Sequence, residues 1–126
     1  MGRFLLAILV VVALLTNGSV RAHVQPYAHF VLDPVYEWSA HSQVKEIARL
    51  VQTDAATGRE VPNERTFTAF LEHEYPDDEH PDQDPWGTPY FLRRDGESLV
   101  IGSAGRDREP DTGDDIVSAP VSGQQQ

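Results

Sequence analysis

Residues 84–90 read Asp84-Pro85-Trp86-Gly87-Thr88-Pro89-Tyr90 and carry the most specific structural signal of the chain. A residue that precedes proline is held in an extended conformation, and the proline and glycine around Trp86 favour a tight turn. A tryptophan in such a turn can bury its ring against the rest of the domain. The stretch therefore predicts a turn that closes over a core and leads Tyr90 into the next element.

The next element is predicted to be a β-hairpin over residues 90–101. Two apolar runs flank Asp95-Gly96, and Asp-Gly suits a two-residue type I′ turn because both central residues need positive φ. This turn predicts the following cross-strand pairs: Arg94 with Glu97, Leu92 with Leu99, and Phe91 with Val100.

An acidic loop is predicted to follow the hairpin and to carry Asp107, Asp111, Asp114 and Asp115. Carboxylates this close in sequence repel one another unless water or a cation screens them. Calcium takes six to eight oxygen ligands at a turning backbone, and Mg²⁺ fits less well because it demands a tighter octahedron. The residues thus allow a calcium site or an ion-free acidic surface loop, and their spacing is not that of an EF-hand.

Two helices are predicted upstream of the turn. Ser42 is a suitable N-cap for the first, Gly58 suits a left-handed end, and Asn63 can cap the second. The first helix has an apolar stripe at helical spacing, made of Val44, Ile47, Ala48 and Val51. The second has an apolar face made of Phe67, Phe70 and Leu71. Residues 76–85 hold no apolar side chain except proline and are predicted to be a loop whose acids form a solvated face, with a second ion as the alternative.

The N-terminus is typical of an export signal. Arg3 precedes an apolar run over residues 4–15, and Val20-Arg21-Ala22 offers small residues for cleavage after Ala22. The run is short for a bilayer span, so residues 1–22 are predicted to be a cleaved signal peptide, with a retained membrane anchor as the alternative. Residues 23–41 contain Pro26 and Pro34, which predict an extended lead-in rather than a helix.

Composition narrows the possible functions. The 126-residue chain carries a formal net charge of −10 and no cysteine. Such a surface disfavours nucleic acid and anionic lipid, and a small exported domain without disulfides often uses a metal as a staple. None of the five histidines has a zinc-binding spacing, and adjacent residues such as His73 and Glu74 do not face one another on a helix. Ser103 does not lie in a G-x-S-x-G turn either, so we expect a protein that is not an enzyme. A hydrolase with His73 or His80 as its base is kept as a lesser alternative.

The blocks 84–90, 103–107 and 114–116 resemble, in order and spacing, the C-terminal domain of the major pseudopilin of type II secretion systems. The likeness covers roughly residues 42–117 and implies an α+β pilin-like head, in which one main amphipathic helix packs on a small antiparallel β-sheet and a C-terminal loop binds Ca²⁺. The implied ligands are the Ala104 carbonyl and the side chains of Asp107, Thr112, Asp114 and Asp115. The implied partners are other protein subunits of a secretion system or pseudopilus, with no nucleic acid, and with membrane contact only if the N-terminal segment is retained.

The resemblance also implies an exported protein, periplasmic or extracellular, with an inner-membrane anchor as the alternative. The family has a continuous N-terminal helix with a glutamate at its fifth mature position, whereas residues 4–22 contain no acid. This departure supports an alternative function: a free secreted or periplasmic binding module that reuses the pseudopilin head without polymerising. The expected organisation is a signal or anchor over 1–22, a lead-in over 23–41, a head domain over 42–117, and a disordered tail over 118–126.

Overall fold

A computed structural model of the protein describes residues 18–122. The chain divides into two units, residues 1–34 and 35–126, and the second unit holds the sheet and the core. The predicted signal segment lies outside the described residues up to residue 17, as do residues 123–126 of the predicted tail. Among the described residues, no helix is long and apolar enough to span a bilayer.

The first helix is far longer than predicted. Helix α1 spans Gly18–Thr57, so the predicted extended lead-in over 23–41 is wrong and Ser42 lies inside the helix rather than capping it. A proline inside a helix costs about 3 kcal/mol, but helix propagation is cooperative once a nucleus has formed. The apolar stripe from Ala40 to Val51 holds the C-terminal part of the helix on the core, and the helix is continuous with the segment that contains the prolines.

The predicted apolar stripe of α1 is confirmed: all four of its residues are buried. The helix ends at Thr57, and Gly58 follows with φ +75°, as expected of a left-handed end. Helix α2 spans Phe67–Glu74 and starts later than predicted. Asn63 does not cap it directly, because the Asn63 side chain accepts backbone N–H bonds within the turn that precedes the helix.

The sheet is small and antiparallel and has four strands, which are numbered here along the chain. They are β1 (Phe91–Asp95), β2 (Ser98–Ser103), β3 (Ile116–Val117) and β4 (Val121–Ser122). β2 is central, since β1 pairs with one of its edges while β3 and β4 pair with opposite ends of the other. The predicted disordered tail is therefore wrong over 118–122, because Val121 is buried and pairs with Leu99. Val121 is the one apolar residue after Pro120, so no alternating pattern in the sequence predicted a strand there.

The predicted hairpin forms, but its register is displaced by two residues. Leu92 pairs with Ile101 and Phe91 with Gly102, so the predicted pairs are wrong. Only Gly96 of the turn has positive φ, which suits a type II′ loop made of Gly96 and Glu97. A shift of two leaves every side chain on its predicted face, because strand side chains alternate with period two.

The fold is α+β, with one long helix and a small antiparallel sheet sharing a single apolar core. As predicted, the Trp86 ring is buried, and it makes an edge-to-face contact with Tyr36 of α1 at a centroid distance of 6.0 Å. The Tyr90 hydroxyl donates a hydrogen bond to Gln43 Oε1, and burial raises the pKa of the Tyr90 phenol. Two aromatic residues of the 84–90 stretch thus join the turn and the sheet to α1.

Asp84 organises the turn from its interior. Its Oδ1 accepts the backbone N–H groups of Trp86 (3.1 Å) and Thr88 (2.8 Å), and its Oδ2 accepts the Ser103 hydroxyl at 2.6 Å. The side chains of Asp84 and Ser103 are both buried. A buried carboxyl group is tolerated only when its oxygens are hydrogen-bonded, and here three donors meet that need.

We predict that Asp84→Ala destabilises the protein by about 3 kcal/mol, because it leaves the buried Ser103 hydroxyl and two turn N–H groups without their acceptor. Asp84→Asn keeps the shape and one acceptor oxygen and should cost less. Urea unfolding followed by circular dichroism measures both. Asp95→Ala, at the exposed hairpin turn, is the control and should change the unfolding free energy by less than about 0.5 kcal/mol. Equal midpoints for Asp84→Ala and the control would contradict the prediction.

Candidate metal-binding loop

Residues 104–115 form the acidic loop between β2 and β3. The loop is closed at its base by the pairing of Ser103 with Ile116. It turns at Gly105, which has φ +72°, and a Cβ at this position would overlap the backbone carbonyl of Asp114. Only glycine satisfies both conditions, so Gly105 holds the two ends of the loop together.

The aspartates of the loop are bound to its backbone. Asp114 Oδ2 accepts the N–H of Asp107 at 3.0 Å, and Asp107 Oδ1 accepts the N–H of Glu109 at 2.9 Å. Asp115 Oδ2 accepts the N–H of Asp111 at 2.9 Å. These bonds fold the loop back on itself and leave the second oxygen of Asp114 and of Asp115 for another partner.

One of those second oxygens has an unusual environment. Asp115 Oδ1 is buried and has no hydrogen-bond partner. Leaving a polar atom buried without a partner costs about 1–3 kcal/mol, and more when the atom carries charge. A buried carboxylate oxygen of this kind calls for a further partner, and a bound water or an ion can each supply one.

The predicted ligand residues differ in how far they are buried. Ala104 is buried beside Gly105, Thr112 and Asp114 are partly buried, and Asp107 is exposed. The Thr112 hydroxyl donates to the Glu109 carbonyl at 3.1 Å and accepts the N–H of Asp114 at 3.4 Å. Thr112 therefore lies within the hydrogen-bond network of the acids.

The acidic side chains do not converge on a point. Across residues 18–122, no group of three or more His, Asp or Glu side chains is close enough to hold a metal ion. The loop backbone is also strained, because Arg108 (φ 61°) and Asp111 (φ 70°) lie in the left-handed region. Strained backbone of this kind clusters at ligand-binding and switch segments, and it costs about 1–3 kcal/mol per residue.

Two residues of the loop environment were not predicted. Arg93 of β1 forms a 2.7 Å ion pair with Asp111, and its guanidinium lies 4.9 Å from the Phe91 ring centroid. Both side chains of the pair are exposed, so the pair contributes little to the stability of the fold. The sequence signal for this ion pair was Arg93, a cation at an outward-facing position of a predicted strand close to an acidic loop. The partner acid could not be chosen from four aspartates.

No family model, no curated protein and no solved structure matches this chain.

We predict that Gly105→Ala destabilises the protein by about 2 kcal/mol or more, because a left-handed alanine costs about 1–2 kcal/mol and its Cβ would also displace Asp114. Gly113→Ala is the matched control, since a Cβ there meets no atom within 4 Å. Urea midpoints compare the two variants. A Gly105→Ala midpoint as high as that of Gly113→Ala would show that the loop base is not closed in this way.

The pKa of Asp107 is lowered from its ordinary value of 3.8, first by the Glu109 N–H that its carboxylate accepts and then by the neighbouring Thr112 hydroxyl, both of which favour its ionised form. A lowered pKa in the folded state contributes stability that is complete above 3.8 and is lost as pH falls below it. The unfolding free energy should therefore decrease on going from about pH 6 to about pH 3, and it should decrease less in Asp107→Asn. Urea titrations at both pH values test this, with Asp95→Asn as control. Identical pH dependence in Asp107→Asn and the parent would refute it.

Proposed function

We propose that this protein is a non-catalytic, calcium-binding interaction domain, similar to the head of type II secretion pseudopilins, which acts through contacts with other protein subunits. The loop over 104–115 would hold Ca²⁺ with the Ala104 carbonyl and the oxygens of Asp107, Thr112, Asp114 and Asp115. The observation that carries the proposal is the buried, unpartnered Oδ1 of Asp115.

The chemistry of the donor set fits calcium. Carboxylate, hydroxyl and carbonyl oxygens on an irregular loop are the ligands of a hard cation that tolerates varied geometry. Asp107 is exposed and Asp114 partly so, which leaves them room to change rotamer without disturbing the core. The bound ion would neutralise the repulsion among these acids and clamp the loop against the sheet edge.

A structural role for the serine in the 103–107 block supports the absence of catalysis. Ser103 is fully buried, donates its hydroxyl proton to Asp84 and accepts the N–H of Gly105 at 3.1 Å. A nucleophilic serine needs an exposed oxygen and a base as its partner. Ser103 links two structural turns instead.

The long helix bears on the choice between the pseudopilin-like role and the free binding module. The prolines at 26 and 34 supported the free module because they predicted a break, whereas α1 continues from Gly18 to Thr57. A long helix leading into the head is the arrangement expected of the assembling family, and cleavage after Ala22 would cut within this helix. The mature N-terminus, read by mass spectrometry, distinguishes the two: a chain that begins at His23 supports the free module.

We predict that calcium raises the melting temperature of the full chain relative to chelator. Binding to the folded state alone stabilises by about 2.7 kcal/mol at a hundredfold excess over Kd. Asp115→Asn and Asp107→Ala should lower this calcium-dependent gain, whereas Asp95→Asn should retain it. Thermal melts in millimolar CaCl₂, MgCl₂ and EGTA provide the measurement, with Mg²⁺ giving the smaller shift. Equal melting of the parent in calcium and in EGTA would refute the proposed ion site.

A further inference from the structure

A cation-rimmed groove runs along α1 on the side of β3 and β4. His41, Lys45 and Arg49 follow one another at four-residue intervals and so lie on one face of the helix. The groove has a volume of about 420 Å³, and Val44, Ala48, Val117 and Val121 supply its apolar surface. Val117 is 53% exposed there, so part of this apolar surface faces solvent.

The charge of this groove is opposite to that of the protein. None of the residues that line it is acidic, although the chain carries a net charge of −10. Within the described part of the chain, neither Lys45 nor Arg49 forms an ion pair. Lys45 and Arg49 also border a second groove, which is lined in part by Glu46 and Glu74. The two cations therefore lie between the two grooves.

The complementary surface lies on the same chain. Residues 76–85 carry Asp77, Asp78 and Glu79, all exposed, and none of the three forms an ion pair among residues 18–122. The segment is held in shape, since Asp78 N–H bonds to the Tyr75 carbonyl at 3.2 Å and Asp78 Oδ1 accepts the His80 N–H at 3.1 Å. We call residues 76–82 the acidic ridge.

We propose that the groove binds the acidic ridge of a second copy of this chain. The carboxylates of the ridge would meet Lys45 and Arg49, and its proline rings would lie on the apolar floor. A ridge already ordered by its own turns loses little conformational entropy on docking. The inference rests on the proposed role in protein assembly, but it does not depend on calcium.

The contact has a definite symmetry. Groove and ridge are different surfaces, so the interface is heterologous and can repeat from copy to copy. Exposed ion pairs contribute about 0.2–1 kcal/mol each, so the association should be weak and should weaken further in about 1 M salt. A weak, repeating contact is suited to an assembly that forms only where copies are concentrated.

Charge reversal of each surface tests the proposal. Sedimentation equilibrium of the full-length protein in about 0.15 M salt should show concentration-dependent association. Lys45→Glu with Arg49→Glu should weaken it about tenfold or more, and Asp77→Lys with Glu79→Lys should do the same. An equal mixture of the two double variants should associate again, because the reversed groove of one then fits the reversed ridge of the other.

Matched controls carry the same charge changes elsewhere. Arg65→Glu with Arg94→Glu lies at a different groove, and Glu60→Lys with Glu64→Lys lies outside the ridge; both should associate like the parent. Circular dichroism verifies the fold of every variant. A parent that stays monomeric, a groove reversal without effect, or a mixture that does not recover would each overturn the proposal. None of these outcomes would change the result expected from the thermal melts with and without calcium, so the two proposals can fail separately.

A disulfide trap tests the same contact by geometry. The chain contains no cysteine, so introduced thiols report only on the intended sites. Gln52→Cys at the groove and Asp77→Cys on the ridge, in separate copies, should give a mixed disulfide on mild oxidation. Gln52→Cys with Glu60→Cys is the control and should give at least tenfold less. Equal yields, measured by mass spectrometry, would overturn the proposal.

Discussion

The rest of the second unit depends on one short chain of hydrogen bonds. Asp84 receives the Ser103 hydroxyl at 2.6 Å, and the Ser103 oxygen in turn accepts the N–H of Gly105 at 3.1 Å. Gly105 then packs against the Asp114 carbonyl at the base of the acidic loop. Residues 84–90 and 103–107 are thus joined through buried polar atoms, and residues 114–116 are joined to them by close backbone packing. Because a buried donor or acceptor without its partner costs about 1–3 kcal/mol, displacing either Asp84 or Ser103 would leave the other without its hydrogen bond.

Local patterns predicted local structure well. The apolar stripe of α1 follows from helical spacing, and the glycine after Thr57 adopts the left-handed conformation that its position implies. The hairpin register could not be predicted in the same way, because Asp95-Gly96 and Gly96-Glu97 are both acceptable two-residue loops. Tertiary contact decides between them, since the Phe91 ring occupies the space that a side chain at Gly102 would need.

Long-range structure escaped prediction for related reasons. The proline rule gave an extended segment over 23–41, but the cost of a proline is finite and a helix anchored downstream overcomes it. The acidity of the loop over 104–115 was apparent from spacing alone. The features that make the loop distinctive were not, because the burial of Asp115 Oδ1 and the ion pair of Arg93 with Asp111 depend on how the loop folds against β1.

Acidic residues have two different physical roles in this protein. In the loop over 104–115, backbone N–H groups bond to one carboxylate oxygen each of Asp107, Asp114 and Asp115 and so fix these side chains against the loop backbone. The calcium ion that we propose for this loop would supply the counter-charge to these acids. On the acidic ridge the carboxylates point to solvent along an ordered segment, where a row of cations on a surface is the better complement. We therefore propose different complements for the same residue type: an ion where backbone N–H groups bind the acids of the loop, and a protein surface where the acids of the ridge are exposed.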